Sequence, residues 1–235
     1  MSIAKKHTLL VLGFIILFSC VKNPPRPDLT ETCYLTEVSK TSNDFSLYVL
    51  HGNGADTIFY LQANSSLVQD FQVFEYDSLG KTIKSSRFFP PGLLLLYSLY
   101  EYNGSGQLTR HTNHSNFGMP TGYTLFDYDG QGPLISTMFY TESDSLTGSL
   151  VHEYDQDGNR IKTSEFDSQP LLTGYSLMEY DDEGFQTSRM EYDAMDSLVR
   201  YSLLTYKENG TREKEQIFNA NDSLLNEYVF TFFCE

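Results

Sequence analysis

The acids of "EYDQDG" stand at alternate positions, Glu153, Asp155 and Asp157, and Gly158 closes them. Alternating carboxylates followed by glycine make up the first half of a calcium loop, where oxygens gather around a hard cation. The twelfth position of such a loop supplies a bidentate glutamate, whereas here it is Ser164, and the flanks read as strands. Weak cation binding by Glu153, Asp155 and Asp157 is thus weighed against a plainer role in a turn. A wider acidic column exists as well: Glu75, Glu101, Asp127, Glu153 and Glu179, with Asp77, Asn103, Asp129, Asp155 and Asp181 beside it. With like strands two spacings apart, these acids recur about every 9.6 Å. Their mutual repulsion in water is about 0.4 kcal/mol before screening, which solvent-facing hairpin edges tolerate.

Other reactive groups give less. His111 and His114 are three apart and face opposite sides of one strand, while His114 and His152 stand where other repeats carry aromatic or large apolar residues. There is no Ser/His/Asp arrangement with a nucleophile turn and no phosphate-cradling glycine loop, so no catalytic residue, metal site or cofactor is expected. An aromatic column runs Phe88, His114, Tyr140, Phe166, Tyr192 and Phe218. If exposed, Tyr140, Tyr192 and Phe166 are candidates to bind sugar rings or peptide segments; the alternative is packing.

The elements that position these residues follow from a repeat. Tyr76, Tyr102, Tyr128, Tyr154, Tyr180 and Tyr206 are each 26 residues apart, and Gly80, Gly106, Gly132, Gly158, Gly184 and Gly210 keep the same step. Such a fixed period marks a repeat architecture. Two positions before each tyrosine the residue is mostly large and apolar, and three before it is always aliphatic. Neighbouring offsets point to opposite faces of a strand, so both faces are expected to be at least partly covered. After each glycine comes a more polar strand and then a second turn, as in "SDSL", "MDSL" and "NDSL". In the first turn, Asp opens a type I turn and Gly takes the left-handed position that forms a bulge. The expected fold is all-β: an open, curved antiparallel β-meander of about seven 26-residue two-strand repeats.

The phrase "YD" with its following Gly at strict spacing resembles the YD-repeat family, whose longer members form the β shells of Rhs-type toxins. The resemblance covers roughly residues 45 to 233 and implies a curved or spiralling meander. Family members that carry a toxin place it after the repeats; no effector segment is legible here, so toxin delivery is not implied.

Residues 1–19 place Lys5 and Lys6 ahead of an apolar run, the layout of a secretory signal. The run ends in "LFSC", which resembles the lipobox of bacterial lipoproteins and implies lipidation of Cys20. Residues 20–32 are proline-rich and read as an extended tether, and residues 33–235 form the repeat domain. Loss of the signal with its two lysines takes the net charge from −15 to −17, a surface that repels nucleic acid. The remaining cysteines, Cys33 and Cys234, flank the repeats. About fifteen strands in a flat sheet would hold them about 67 Å apart, so the two thiols are expected to be free or used between molecules. The expected function is that of a non-catalytic β-repeat scaffold, lipid-anchored in the cell envelope and facing the periplasm or the cell surface. Its partners would be the membrane, through the anchor, and an envelope protein. The alternative is a glycan-binding module, with an enzyme of unknown class third.

Overall fold

The computed structural model describes residues 33–39, 45–51, 54–61 and 68–234, so the signal, Cys20 and the tether lie outside the described residues. Every described element is a strand. They are β1 (Cys33–Ser39), β2 (Phe45–His51), β3 (Gly54–Leu61), β4 (Val68–Tyr76), β5 (Thr82–Phe89), β6 (Leu93–Tyr102), β7 (Leu108–Ser115) and β8 (Pro120–Tyr128). Then follow β9 (Leu134–Tyr140), β10 (Leu146–Tyr154), β11 (Arg160–Asp167), β12 (Leu172–Tyr180), β13 (Gln186–Asp193), β14 (Leu198–Tyr206), β15 (Arg212–Asn219) and β16 (Leu224–Cys234). Each strand pairs antiparallel with the next. Strands β3–β16, taken alone, are the fourteen-stranded open meander of two-strand repeats that the 26-residue period predicts.

The ends add what the period does not show. β1 pairs with β2, and it also pairs with β16 over seven residues, from Cys33 opposite Cys234 to Ser39 opposite Tyr228. The sixteen strands therefore close into a barrel. The expectation that the two edges stay apart assumed that a closed barrel must be filled by side chains. A wide barrel need not be, since barrels of about sixteen strands can enclose water. Closure pairs backbone groups that two free edges would leave exposed. Among the described residues the buried apolar side chains are Ile58, Leu108, Met178, Leu204 and Phe230, and the remaining buried side chains are polar, such as Ser85, His152, Thr163 and Ser176.

All five lie on the face that carries the repeat tyrosines, as the register shows: Ile58 is opposite Gln72, Leu108 is opposite Tyr102, and the others sit two before a repeat position. Side chains crowd on the concave side of a curved sheet, so this is the inner face. The outer face is partly covered, as expected: in its aliphatic column Val73, Leu125, Leu177 and Val229 are half-buried, while Val151 at 41% and Leu203 at 43% are exposed.

The first turns form as expected. In β10–β11 the Gly158 N–H donates to the Asp155 carbonyl at 3.2 Å with φ +84°, and the register shifts between Glu153 and Tyr154. Gly132 is the exception: it closes its turn on the Asp129 carbonyl at 2.7 Å without a left-handed φ, and Gly130 takes φ +57° instead. Pro133 follows Gly132, and a residue before proline is steered to extended backbone. Gly80, Gly106, Gly184 and Gly210 behave as Gly158 does.

Candidate binding surfaces on the outer face and the rims

The repeat tyrosines hold consecutive hairpins together. The hydroxyl of Tyr180 donates to the backbone carbonyl of Arg160 at 2.8 Å, and Tyr102, Tyr128, Tyr154 and Tyr206 each reach the carbonyl twenty residues back in the same way. Burial raises the Tyr180 phenol above its ordinary value. The inner face between these staples is polar. Arg87 clamps Asp70 through two bonds of 2.7 and 2.9 Å, and Glu191 bridges Arg200 at 2.6 Å and Arg189 at 3.4 Å. His152 is buried here, its Nδ1 bonded with the Thr163 hydroxyl at 3.0 Å. Burial, with the positive charge of Arg160 nearby, lowers its imidazole to about 4.

On the outer face the acidic column is interleaved with cations. Glu75 pairs with Lys84 at 2.7 Å, Glu101 with Arg110 at 3.9 Å and Glu153 with Lys162 at 3.0 Å, while Glu179 accepts from the Ser188 hydroxyl at 2.8 Å. Each cation also lies over a tyrosine of the next strand: Lys84 over Tyr97, Arg110 over Tyr123 at 4.0 Å, and Lys162 over Tyr175. Sequence reasoning missed this set of partners, although Lys84, Arg110 and Lys162 keep multiples of the 26-residue step, nine residues after each acid.

The three acids proposed for a cation are thereby separated in role. Glu153 is engaged by Lys162. Asp155 Oδ1 accepts the N–H groups of Asp157 and Asn159 at 3.0 and 2.8 Å, and Oδ2 accepts the Asn159 amide at 3.0 Å. The bonds from Asn159, its side-chain amide foremost, hold the Asp155 carboxyl below its ordinary value. Turn geometry therefore uses the oxygens that a cation would need. Among the described residues no group of three or more His, Cys, Asp and Glu side chains is placed for a metal ion.

The aromatic column forms a row of cross-strand stacks on the outer face. Tyr123 stacks on Tyr140 at 4.9 Å, Tyr175 on Tyr192 at 5.0 Å, Tyr201 on Phe218 at 5.0 Å and Tyr97 on His114 at 4.6 Å. His111 stacks on Tyr100 on the inner face, so the two histidines do point opposite ways. Tyr140 and Tyr192 thus each give one ring face to a neighbour. Phe166 differs, because its register partner in β10 is Ser149. A cleft beside Tyr192, lined by Gly174, Tyr175, Ser176 and Glu191 among others, encloses about 170 Å³. That is below the several hundred Å³ of a typical small-molecule site.

The second turns repeat the geometry of the first with a different left-handed residue. Asp144, Asp196 and Asp222 take φ +61°, +60° and +59°. Each carboxylate accepts a tyrosine hydroxyl from 21 residues earlier: Tyr123 to Asp144 and Tyr175 to Asp196 at 2.9 Å, and Tyr201 to Asp222 at 3.0 Å. Asp tolerates the left-handed region better than most residues, and here a tyrosine fixes it. In an antiparallel meander alternate turns lie at opposite ends, so the glycine turns make one rim and these turns the other. The second rim carries exposed Phe89, Leu93, Phe117, Met119, Leu171 and Met195. The turns of the first are acidic and exposed, with Asp129, Asp157, Asp181, Asp182, Glu183 and Glu208, and Leu79 is the exposed large apolar residue among them.

No protein-family model matches the chain. A search of curated proteins likewise finds no match. Among solved structures, a porin-like protein from Bacteroides uniformis is 11% identical over 87% of this chain and 97% of its own, with a TM-score of 0.58, and the two share a fold. A porin-like protein from Bacteroides vulgatus is 10% identical over 75% of this chain and 97% of its own at a TM-score of 0.36. The TcdB2–TccC3 toxin complex is 15% identical over 79% of this chain, at a TM-score of 0.36, and this chain spans 10% of its length.

Proposed function

We propose that this protein is a lipid-anchored, non-catalytic β-barrel scaffold of the bacterial envelope that binds a protein partner through its apolar rim. The contrast between the rims carries the reading. Phe117 is 86% exposed and Met195 82%, and Phe89, Leu93, Met119 and Leu171 are exposed at other second turns of the same rim or beside Phe117. Large apolar residues exposed at several turns of one rim are the kind of surface that marks interaction sites. The chain enters at the other rim, because Cys33 stands opposite Leu50 and Cys234 at the glycine-turn ends of their strands. A tether over residues 20–32, with its lipid on Cys20, therefore leaves from the acidic rim. The anchor thus lies at the glycine-turn rim, and the apolar rim stands at the opposite end of the barrel. The porin-like name of the neighbour that shares the fold supports an envelope location.

The test compares cross-linking partners of the lipidated protein with those of a triple variant, Phe117→Ser with Met119→Ser and Met195→Ser. The variant is expected to lose a specific cross-linked protein at unchanged melting temperature, while Leu79→Ser on the acidic rim keeps it. Retention of every partner by the triple variant, or its transfer to lipid vesicles as the only ligand lost, overturns the reading. The second reading is a glycan-binding module, and Phe166 favours it, since Ser149 opposite leaves that ring without a register partner ring. Phe166→Ala would then abolish glycan-array signals more completely than Tyr140→Ala or Tyr192→Ala.

A further inference from the structure

The β1–β16 ladder is the one place where the barrel joins strands from opposite ends of the repeat region. Every other ladder joins neighbours in sequence and survives any opening of this one. The ladder begins with Cys33 opposite Cys234. Directly opposed residues of an antiparallel pair have Cα atoms about 4.5 to 5.5 Å apart. A disulfide spans Cα separations of about 4.4 to 6.8 Å. These are the chain's only cysteines besides Cys20, and the register sets them against each other at the rim end of the seam.

We propose that Cys33 and Cys234 form an intramolecular disulfide that closes the barrel covalently. The step is thiol–disulfide exchange with a disulfide-bonded oxidoreductase. One cysteine thiolate attacks the oxidant's disulfide to give a mixed disulfide and one oxidant thiol. The second cysteine thiolate then displaces the other oxidant sulfur. The Cys33–Cys234 bond forms, the oxidant leaves as a dithiol, and the two protons and two electrons are accounted for. The bond closes a loop of roughly the whole domain, the case in which cross-linking restricts the unfolded chain most. It also keeps β1 and β16 from separating into two free edges able to pair with other chains. The inference is independent of which partner the apolar rim binds.

The experiment uses purified mature chain prepared as an equal mixture of light and 15N-labelled protein, oxidised with glutathione disulfide and digested without reduction. Mass spectrometry is expected to find the Cys33 and Cys234 peptides linked, as light–light and heavy–heavy pairs only. Mixed pairs, or both peptides recovered as free thiols, overturn the proposal. Reduction should lower the melting temperature by on the order of 10 °C. Cys33→Ser and Cys234→Ser should each abolish that difference, and the double variant should add nothing to either single one. A melting temperature unaffected by reduction in the linked protein overturns the bond's role in holding the seam.

Discussion

Leu203 and Leu204 are neighbours in one strand, equally apolar, and differ sixfold in exposure, at 43% and 7%. The same contrast runs around the barrel between the columns they represent. Met178, Leu204 and Phe230 are buried on the inner face, while Leu99, Val151 and Leu203 are exposed on the outer. Curvature makes the difference, because it crowds side chains on one side of the sheet and spreads them on the other. The two faces accordingly hold together by different means. The inner face relies on burial and on tyrosine hydroxyls bonded to part-buried backbone carbonyls. The outer relies on stacked rings and half-exposed ion pairs, which are individually worth less than about 1 kcal/mol.

The largest expected effect tests burial through charge. His152 is buried on the inner face with its imidazole lowered to about 4 from an ordinary value of 6.5. Between those values the unfolded chain takes up the proton and the folded chain does not. Stability is therefore full above pH 6.5 and falls as the pH drops toward 4, by roughly 3 kcal/mol at most for this group. His152→Phe, which places the aromatic of the Phe126 position in this repeat, should flatten that part of an acid unfolding curve. An acid limb identical to that of the wild type would place His152 in a more open setting than the inner face provides.

Truncating the paired leucines gives the next effect. Leu204→Ala should cost about 2 to 3 kcal/mol, within the range for buried leucines. Leu203→Ala should cost well under 1 kcal/mol, since much of that side chain already meets solvent. Equal losses in chemical denaturation would mean that the outer face is covered at Leu203, and would point to a bound partner or a second copy in solution.

The repeat period, the turns and the alternation of apolar and polar strands were legible because each is local: Asp155 and Gly158 do in the turn what their chemistry suggests. Closure was not, since nothing within 26 residues encodes the pairing of Cys33 with Cys234, about 200 residues apart. Nor was the hand of curvature, so the sequence treats the columns of Leu203 and Leu204 alike. The outer ion pairs were readable in principle. Lys84, Arg110 and Lys162 follow their acids at a constant nine residues, a spacing that becomes meaningful only once the hairpin register is known.

The smallest effect separates the two sets of tyrosines. Tyr180→Phe on the inner face removes the donor to the Arg160 carbonyl and should cost about 1 kcal/mol, or roughly 3 °C of melting temperature. Tyr175→Phe on the outer face removes a bond to Asp196, whose carboxylate remains in water, and should shift melting by roughly 1 °C or less. Both phenols are raised, Tyr180 by burial and Tyr175 foremost by its bond to the Asp196 carboxylate. A raised phenol contributes stability that is complete below about pH 10 and is lost as the pH rises through its folded value, because the unfolded chain releases its proton first. Each variant should thus melt more like the wild type at pH 11 than at pH 8. A Tyr175→Phe loss at pH 8 as large as that of Tyr180→Phe would show that the second-turn aspartates are held as firmly as the inner staples, and the energetic distinction between the faces would fail.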